Sequence, residues 1–267
     1  MLWLFLGVLF FFLFLGVPAA FSMLLSAIAM MLAMGNYDTQ IVAQNLVNGA
    51  NNFPLMAIPF FIFAGEIMNA GGISKRIIHF ASTLVGHIRG GLGYVTVIAG
   101  LIFAGLSGSA VADTAALGAI LIPMMAEKGY NVRRATGLVA SSGLIAPIMP
   151  PSIGLIMYGV IGGVSITQLF MAGIVPAIIF AVGLSVVWYI FAKKDNLPTT
   201  PKATNKERLD AFLQAIWALF LPFIIIFGIR GGIFTPTEAA VVAAVYALVI
   251  SLTVYRKEFK ISQIPQV

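Results

Sequence analysis

The segment Gly105-Leu106-Ser107-Gly108-Ser109-Ala110-Val111-Ala112-Asp113-Thr114 gathers hydroxyls, small residues and one carboxylate between apolar stretches. A second break, Ala146-Pro147-Ile148-Met149-Pro150-Pro151-Ser152, follows. Hydrocarbon cannot hydrogen-bond a peptide group, so a broken helix at membrane depth persists only where protein buries it or a watery cavity meets it. Two such breaks point to a transport site. Broken helices offer carbonyl-rich C-terminal ends suited to Na⁺ and amide-rich N-terminal ends suited to a carboxylate. Sodium is small and hard, which favours an all-oxygen cage of carbonyls and hydroxyls. Ser107 and Ser109 are small enough for a ligand to approach the backbone, and their hydroxyls donate or accept. Asp113 is the most informative ionisable residue, because a carboxylate in an apolar hairpin costs several kcal/mol unless paired, hydrated or near a cation. Two roles are open to it: a cap on amides at the start of the following helix, or a direct part in cation or substrate coupling.

The elements that position these residues are set by composition. The 267-residue chain is 60% hydrophobic and 9% charged, with a mean hydropathy of +1.03, and reads as an all-α, multi-span membrane protein. It has no Cys, which excludes disulfides, thiolate metal sites and cysteine nucleophiles. His79 and His87 are the only imidazoles and lie in a moderately polar stretch, a surface or interfacial setting. The net charge of +6 comes from short basic clusters between apolar segments, so it reflects membrane topology and not nucleic-acid binding. Residues 2–34 lack a basic leading region and run past the ~7–15 apolar residues of a signal sequence.

About 20 residues cross a hydrocarbon core. Residues 2–34 are expected to form one long, tilted or kinked helix, with the kink at Gly16-Val17-Pro18. Residues 36–53 read as an outer loop with a short amphipathic helix, 54–70 as a span, and 74–89 as a helix on the membrane surface. Two apolar segments, 91–105 and 110–126, each short for a crossing, suggest a re-entrant hairpin with Leu106-Ser107-Gly108-Ser109 at its tip. Residues 132–162 form a crossing helix broken at 146–152, where the prolines remove backbone donors. Spans over 165–192, 211–229 and 236–255 follow, with a polar linker over 193–208. If the hairpin returns to its own side, every Lys and Arg except Arg230 shares one side, which the positive-inside rule makes cytoplasmic. Glu66 sits near the inner end of its span, where it reaches the interface or bonds a neighbouring helix, and Glu238 after Thr235-Pro236-Thr237 looks like a helix-start residue.

The strings Asn52-Phe53-Pro54, Ala64-Gly65-Glu66-Ile67-Met68-Asn69-Ala70-Gly71-Gly72, the Gly105 to Thr114 and Pro147 to Ser152 segments, and Gly232-Ile233-Phe234-Thr235-Pro236-Thr237-Glu238-Ala239-Ala240 together resemble the large membrane subunit of TRAP transporters, the tripartite ATP-independent periplasmic family. The resemblance implies the large permease of a sodium-coupled importer of organic acids: C4-dicarboxylates, sialic acid or sugar acids. It implies a multi-pass protein of a bacterial or archaeal cytoplasmic (inner) membrane, partnered by a small membrane subunit and a periplasmic substrate-binding protein. The implied fold is an inverted repeat in which a transport domain moves as an elevator against a scaffold. On that pattern 1–89 are scaffold-type helices and a surface helix. Residues 90–163 are a transport-type unit, with the hairpin at 90–127 and the broken helix at 132–162, and 164–267 are further scaffold-type helices. Ser107, Gly108 and Ser109 would form the tip and Pro150, Pro151 and Ser152 the facing unwound segment, lining a sodium site beside the substrate. Asp113 and Thr114 extend that set, and Ser107, Ser109 and Ser152 would be the hydroxyl ligands of Na⁺. The family's second hairpin and second break find no match in this sequence, which is expected to be a fragment carrying one repeat.

Two other readings compete. In a non-transporting membrane scaffold the breaks would serve helix packing alone. Gly105-Leu106-Ser107-Gly108 also matches the G-x-S-G of rhomboid intramembrane proteases, but both histidines precede the serine and lie in a surface-type segment. Ser109 in the last position spoils G-x-S-x-G, and there is no P-loop.

Overall fold

Proline and glycine punctuate the apolar sequence, and the helices stop where they stand. The computed structural model describes residues 1–256, which contain twelve α-helices. They group into two compact units, Met1–Asn52 and the chain from Phe53 onward.

In the first unit, α1 (Leu2–Phe14) and α2 (Ala19–Ala33) pack against each other across a tight turn, so the expected single helix over 2–34 is corrected to a pair. Gly16 takes φ +80°, a left-handed conformation that reverses the chain, and Pro18, without an N–H to donate, leads into α2 at ψ 142°. Each helix is about 20–22 Å long at the usual rise, short of an about 30 Å hydrocarbon core. The amphipathic helix expected within 36–53 is α3 (Thr39–Ala50), capped by Asp38, which accepts from the Gln40 amide at 2.7 Å.

The second unit comprises α4 (Ala57–Ala70), α5 (Ile73–Val85), α6 (Gly91–Ser107), α7 (Ala110–Glu127), α8 (Val132–Gly143), α9 (Ile153–Gly162), α10 (Ile166–Lys194), α11 (Asn205–Arg230) and α12 (Pro236–Thr253). Among the described residues, Phe53–Ala70, α7, α10, α11 and α12 are long and apolar enough to cross a membrane. The expectation that 110–126 is too short to cross is therefore corrected: α7 runs 18 residues. Small residues set the closest packing, as expected where helices gain little from hydrophobicity alone. Ala239, Ala243 and Ala247 form a buried stripe at four-residue spacing on α12, which lies against α4, and Thr237 and Ser251 donate to carbonyls of Phe53 and Ile67. On α5, Ile73, Ile77, Ile78 and Ala81 are buried, while Lys75 and His79 remain exposed. Helix α11 begins earlier than the expected 211 because Thr204 and Glu207 close a capping box at its start. The same device, Thr235 with Glu238, starts α12, as its sequence suggested.

The start of α6, the end of α7, the start of α8, the end of α10 and the following linker meet at one end of this unit. Trp188 Nε1 donates to the Gly90 carbonyl at 2.9 Å, Trp188 stacks on Tyr130, Thr200 Oγ1 donates to the Gly86 carbonyl, and Arg134 pairs with Asp195. Lys128, Arg133, Arg134, Lys193 and Lys194 all belong to these segments. A Cβ on Gly93 would fall 1.9 Å from the Trp188 ring. Gly93→Ala should therefore lower the melting temperature in detergent and shift Trp fluorescence, at a cost of about 1–3 kcal/mol. Gly137→Ala, where a Cβ meets nothing within 4 Å, should leave both unchanged or raise stability slightly.

Candidate functional site

Helix α6 ends in a left-handed residue, and the chain turns there. Gly108 has φ +62°, and a Cβ on it would lie 2.6 Å from the Pro151 carbonyl oxygen and 3.0 Å from Ser152 Cα. Glycine is required twice over, for the conformation and for the space. The tip expected at 106–109 thus lies against the break expected at 146–152, and a Cβ on Gly105 would stand 3.4 Å from Pro222 on α11 and 3.7 Å from the Pro150 carbonyl oxygen.

Each break satisfies its backbone with serine. Ser109 Oγ caps α7 by accepting from the Ala112 amide at 3.4 Å. Ser152 caps α9 by accepting from the Leu155 amide at 3.3 Å, while its hydroxyl donates to the Pro147 carbonyl at 2.7 Å. Ser107 Oγ accepts from the Ser109 amide at 3.0 Å and donates to Asp113 Oδ1. The cap role weighed for Asp113 thus falls to Ser109. Asp113 is 2% exposed, and its other oxygen, Oδ2, is buried without a hydrogen-bond partner. An unsatisfied buried carboxylate oxygen is costly and marks a place where a ligand would be accepted.

A cavity of about 120 Å³ opens beside this carboxylate. Ser107, Ser109, Asp113 and Ile153 line it from the two breaks, and Gly65, Glu66 and Asn69 line it from α4. It has room for several water molecules or a hydrated ion. The α4 wall was not anticipated. Its signal was present in Ile62, Gly65, Glu66 and Asn69, which share one face of a helix by their spacing. Gly65 permits the approach, since a Cβ there would stand 3.1 Å from Ser107 Cβ. Thr114 does not line this cavity; its Oγ1 sits over Gly143 at the end of α8. Pro150, Pro151 and Ser152 lie behind the tip and outside the cavity wall. Among the described residues no imidazole lines the cavity, and the Ser107 hydroxyl is bound to Asp113, so a serine nucleophile finds no imidazole base here. The two breaks offer the cavity only oxygen, namely Asp113 Oδ2, the Ser109 hydroxyl and one lone pair on Ser107, and α4 adds the Glu66 carboxylate and the Asn69 amide.

A family model described as "Tripartite ATP-independent periplasmic transporter, DctM component" matches residues 6–267. A protein of Haemophilus influenzae named as a TRAP transporter large permease is 60% identical over 224 residues, 84% of this chain and 56% of its own length. A 2,3-diketo-L-gulonate TRAP transporter large permease protein of Escherichia coli is 56% identical over 242 residues, 91% of this chain and 57% of its own. A sialic acid TRAP transporter large permease protein of Vibrio cholerae is 43% identical over 243 residues, again 91% and 57%. The chain spans little more than half the length of these relatives.

Gly108→Ala should be among the most damaging single-methyl additions, costing about 1–3 kcal/mol through its backbone conformation and the Pro151 contact. Gly118→Ala, where a Cβ would make ordinary contacts at 3.5 and 3.6 Å, serves as the comparison in thermal unfolding and should be tolerated.

Proposed function

Since the chain belongs to the family of large membrane subunits of tripartite ATP-independent periplasmic transporters, and is a multi-pass transporter subunit rather than an enzyme, we propose that it forms the ion- and substrate-handling part of a sodium-driven organic-acid importer. Its setting is the bacterial inner membrane. A small membrane subunit and a periplasmic substrate-binding protein complete the system, and C4-dicarboxylates, sialic acid and sugar acids are the substrate class. The observation that carries this reading is the meeting of the Gly108 tip with the Pro151–Ser152 backbone beside the unpartnered Asp113 oxygen.

Na⁺ is a cargo here, taken up by oxygen atoms of the tip. Asp113 Oδ2 and the Ser109 hydroxyl supply the strongest ligands, Ser107 orients Asp113, and Ser152 keeps one lone pair while holding the break in shape. The amide-rich starts of α7 and α9 come together at this point and favour an organic acid's carboxylate. Binding of the cation neutralises the Asp113 charge that would otherwise repel that carboxylate, which couples the two cargoes. Re-entry of α6 and α7 is supported by depth. Their tip meets Pro222 about 12 Å short of the end of α11, and the Ile148 carbonyl meets Gly173 about 10 Å inside the start of α10. Movement of this unit against α4, α11 and α12 would be the elevator step.

The test is uptake of a radiolabelled organic acid into proteoliposomes holding the protein with its membrane and periplasmic partners. Uptake should require an inward Na⁺ gradient, and Ser109→Phe should abolish it while leaving subunit assembly intact. Assembly with uptake indifferent to Na⁺ and to Ser109→Phe would instead favour a scaffold role.

A further inference from the structure

A second cavity lies at the basic end of the bundle, apart from the tip. It measures about 410 Å³, within the range of small-molecule sites. One side of it carries two ammonium groups, Lys75 from α5 and Lys128 from the end of α7, together with the His79 imidazole of α5. Among the described residues no acid lines it, and no ion pair engages Lys75 or Lys128. Glu207 and Asp210 line a neighbouring cavity that shares His79 and Ser82, but with no acid on its own described wall the two ammonium groups repel each other, so a bound anion would stabilise the arrangement. The Ser82 hydroxyl on the wall is buried without a hydrogen-bond partner. It is a neutral donor within the same cluster, and one rotamer change would turn it to an anion's oxygen. The opposite side is apolar, formed by Ile78, Leu92, Ile120 and Met124.

A cavity basic on one side and apolar on the other, at the end of a membrane helix bundle, matches the two-part chemistry of an anionic phospholipid: a phosphodiester over the lysines and the glycerol and first methylenes along the isoleucines. We propose that this cavity, between α5 and the base of the α6–α7 hairpin, is a binding site for the headgroup of an anionic phospholipid. Lipid seated there would bridge α5 to the hairpin base and so stabilise one position of the hairpin. The apolar wall is what distinguishes a lipid from free phosphate, which would gain nothing from it.

Native mass spectrometry of the delipidated protein, given phosphatidylglycerol, phosphatidylcholine or glycerol phosphate in turn, tests this directly. Phosphatidylglycerol should be retained, phosphatidylcholine should not, and glycerol phosphate should compete only weakly. Lys75→Gln with Lys128→Gln should weaken phosphatidylglycerol retention about tenfold or more. The pair of Lys→Arg changes should restore it, which separates loss of charge from loss of fold. Lys193→Gln with Lys194→Gln removes the same charge from the same end of the bundle and should leave retention intact. Equal loss in both Gln pairs, equal retention of phosphatidylcholine, or binding of glycerol phosphate with no lipid retained would overturn the proposal. Because the readout is lipid binding, its failure says nothing against sodium-coupled transport, and the failure of transport says nothing against it.

Discussion

Peptide groups in an apolar setting must find partners, and the structure around both helix breaks follows from that requirement. At the tip, Ser109 takes up the Ala112 amide and Ser107 the Ser109 amide; at the second break, Ser152 bridges the Leu155 amide and the Pro147 carbonyl. Serine suits the task because one small hydroxyl both donates and accepts close to its own backbone. Glycine then lets the two repaired breaks approach until Gly108 touches the Pro151 carbonyl. What the repair leaves over is one carboxylate oxygen, Asp113 Oδ2, beside a small cavity. Among the described side chains around the two breaks it is the buried polar atom left without a partner, which makes it the most informative atom of the site.

The two ends of the α6–α7 hairpin are built differently. Its base is held by an indole hydrogen bond from Trp188 to Gly90 and by the stacking of Trp188 on Tyr130, both to the end of α10, while the Arg134–Asp195 ion pair ties the neighbouring α8 to the same place. Its tip is packed closely through glycines: Gly105 faces Pro222, Gly108 faces Pro151, and Gly65 of α4 faces Ser107, with room at neither Gly65 nor Gly108 for a Cβ at ordinary contact distance. Directional bonds fix a base, whereas small-residue contacts permit sliding with little loss of hydrogen bonding. This asymmetry suits a unit whose working residues sit at the tip and whose charge sits at the base.

Much of this was legible because particular strings contradict their surroundings. Ser107-Gly108-Ser109 and Pro150-Pro151-Ser152 cannot continue a membrane helix: the first closes α6, and the second lies between α8 and α9, with Ser152 capping the start of α9. The helix start marked by Glu238 after Thr235-Pro236-Thr237 was equally plain, and the structure adds that Thr235 and Glu238 close a capping box there. Other features depend on tertiary geometry that spacing does not encode. A glycine and a proline two residues apart signal an interruption but not its angle, so 2–34 read as a kink where the chain in fact turns back. Six residues separate Ser107 from Asp113, and only the left-handed turn at Gly108 makes them partners. Glu66 near the end of a span reads as an interfacial acid, and its place on the cavity wall emerges only once α4 is packed against the tip.

The central claim is that the oxygen atoms at the tip hold Na⁺, and the most direct measurement is the melting temperature of the purified protein in NaCl and in KCl at constant ionic strength. A ligand that binds only the folded state stabilises it by an amount that grows with the logarithm of its concentration once above Kd. The melting temperature should rise with NaCl and not with KCl, and Asp113→Asn should lose the sodium response. An equal response to both cations, or a full sodium response in Asp113→Asn, would contradict the claim.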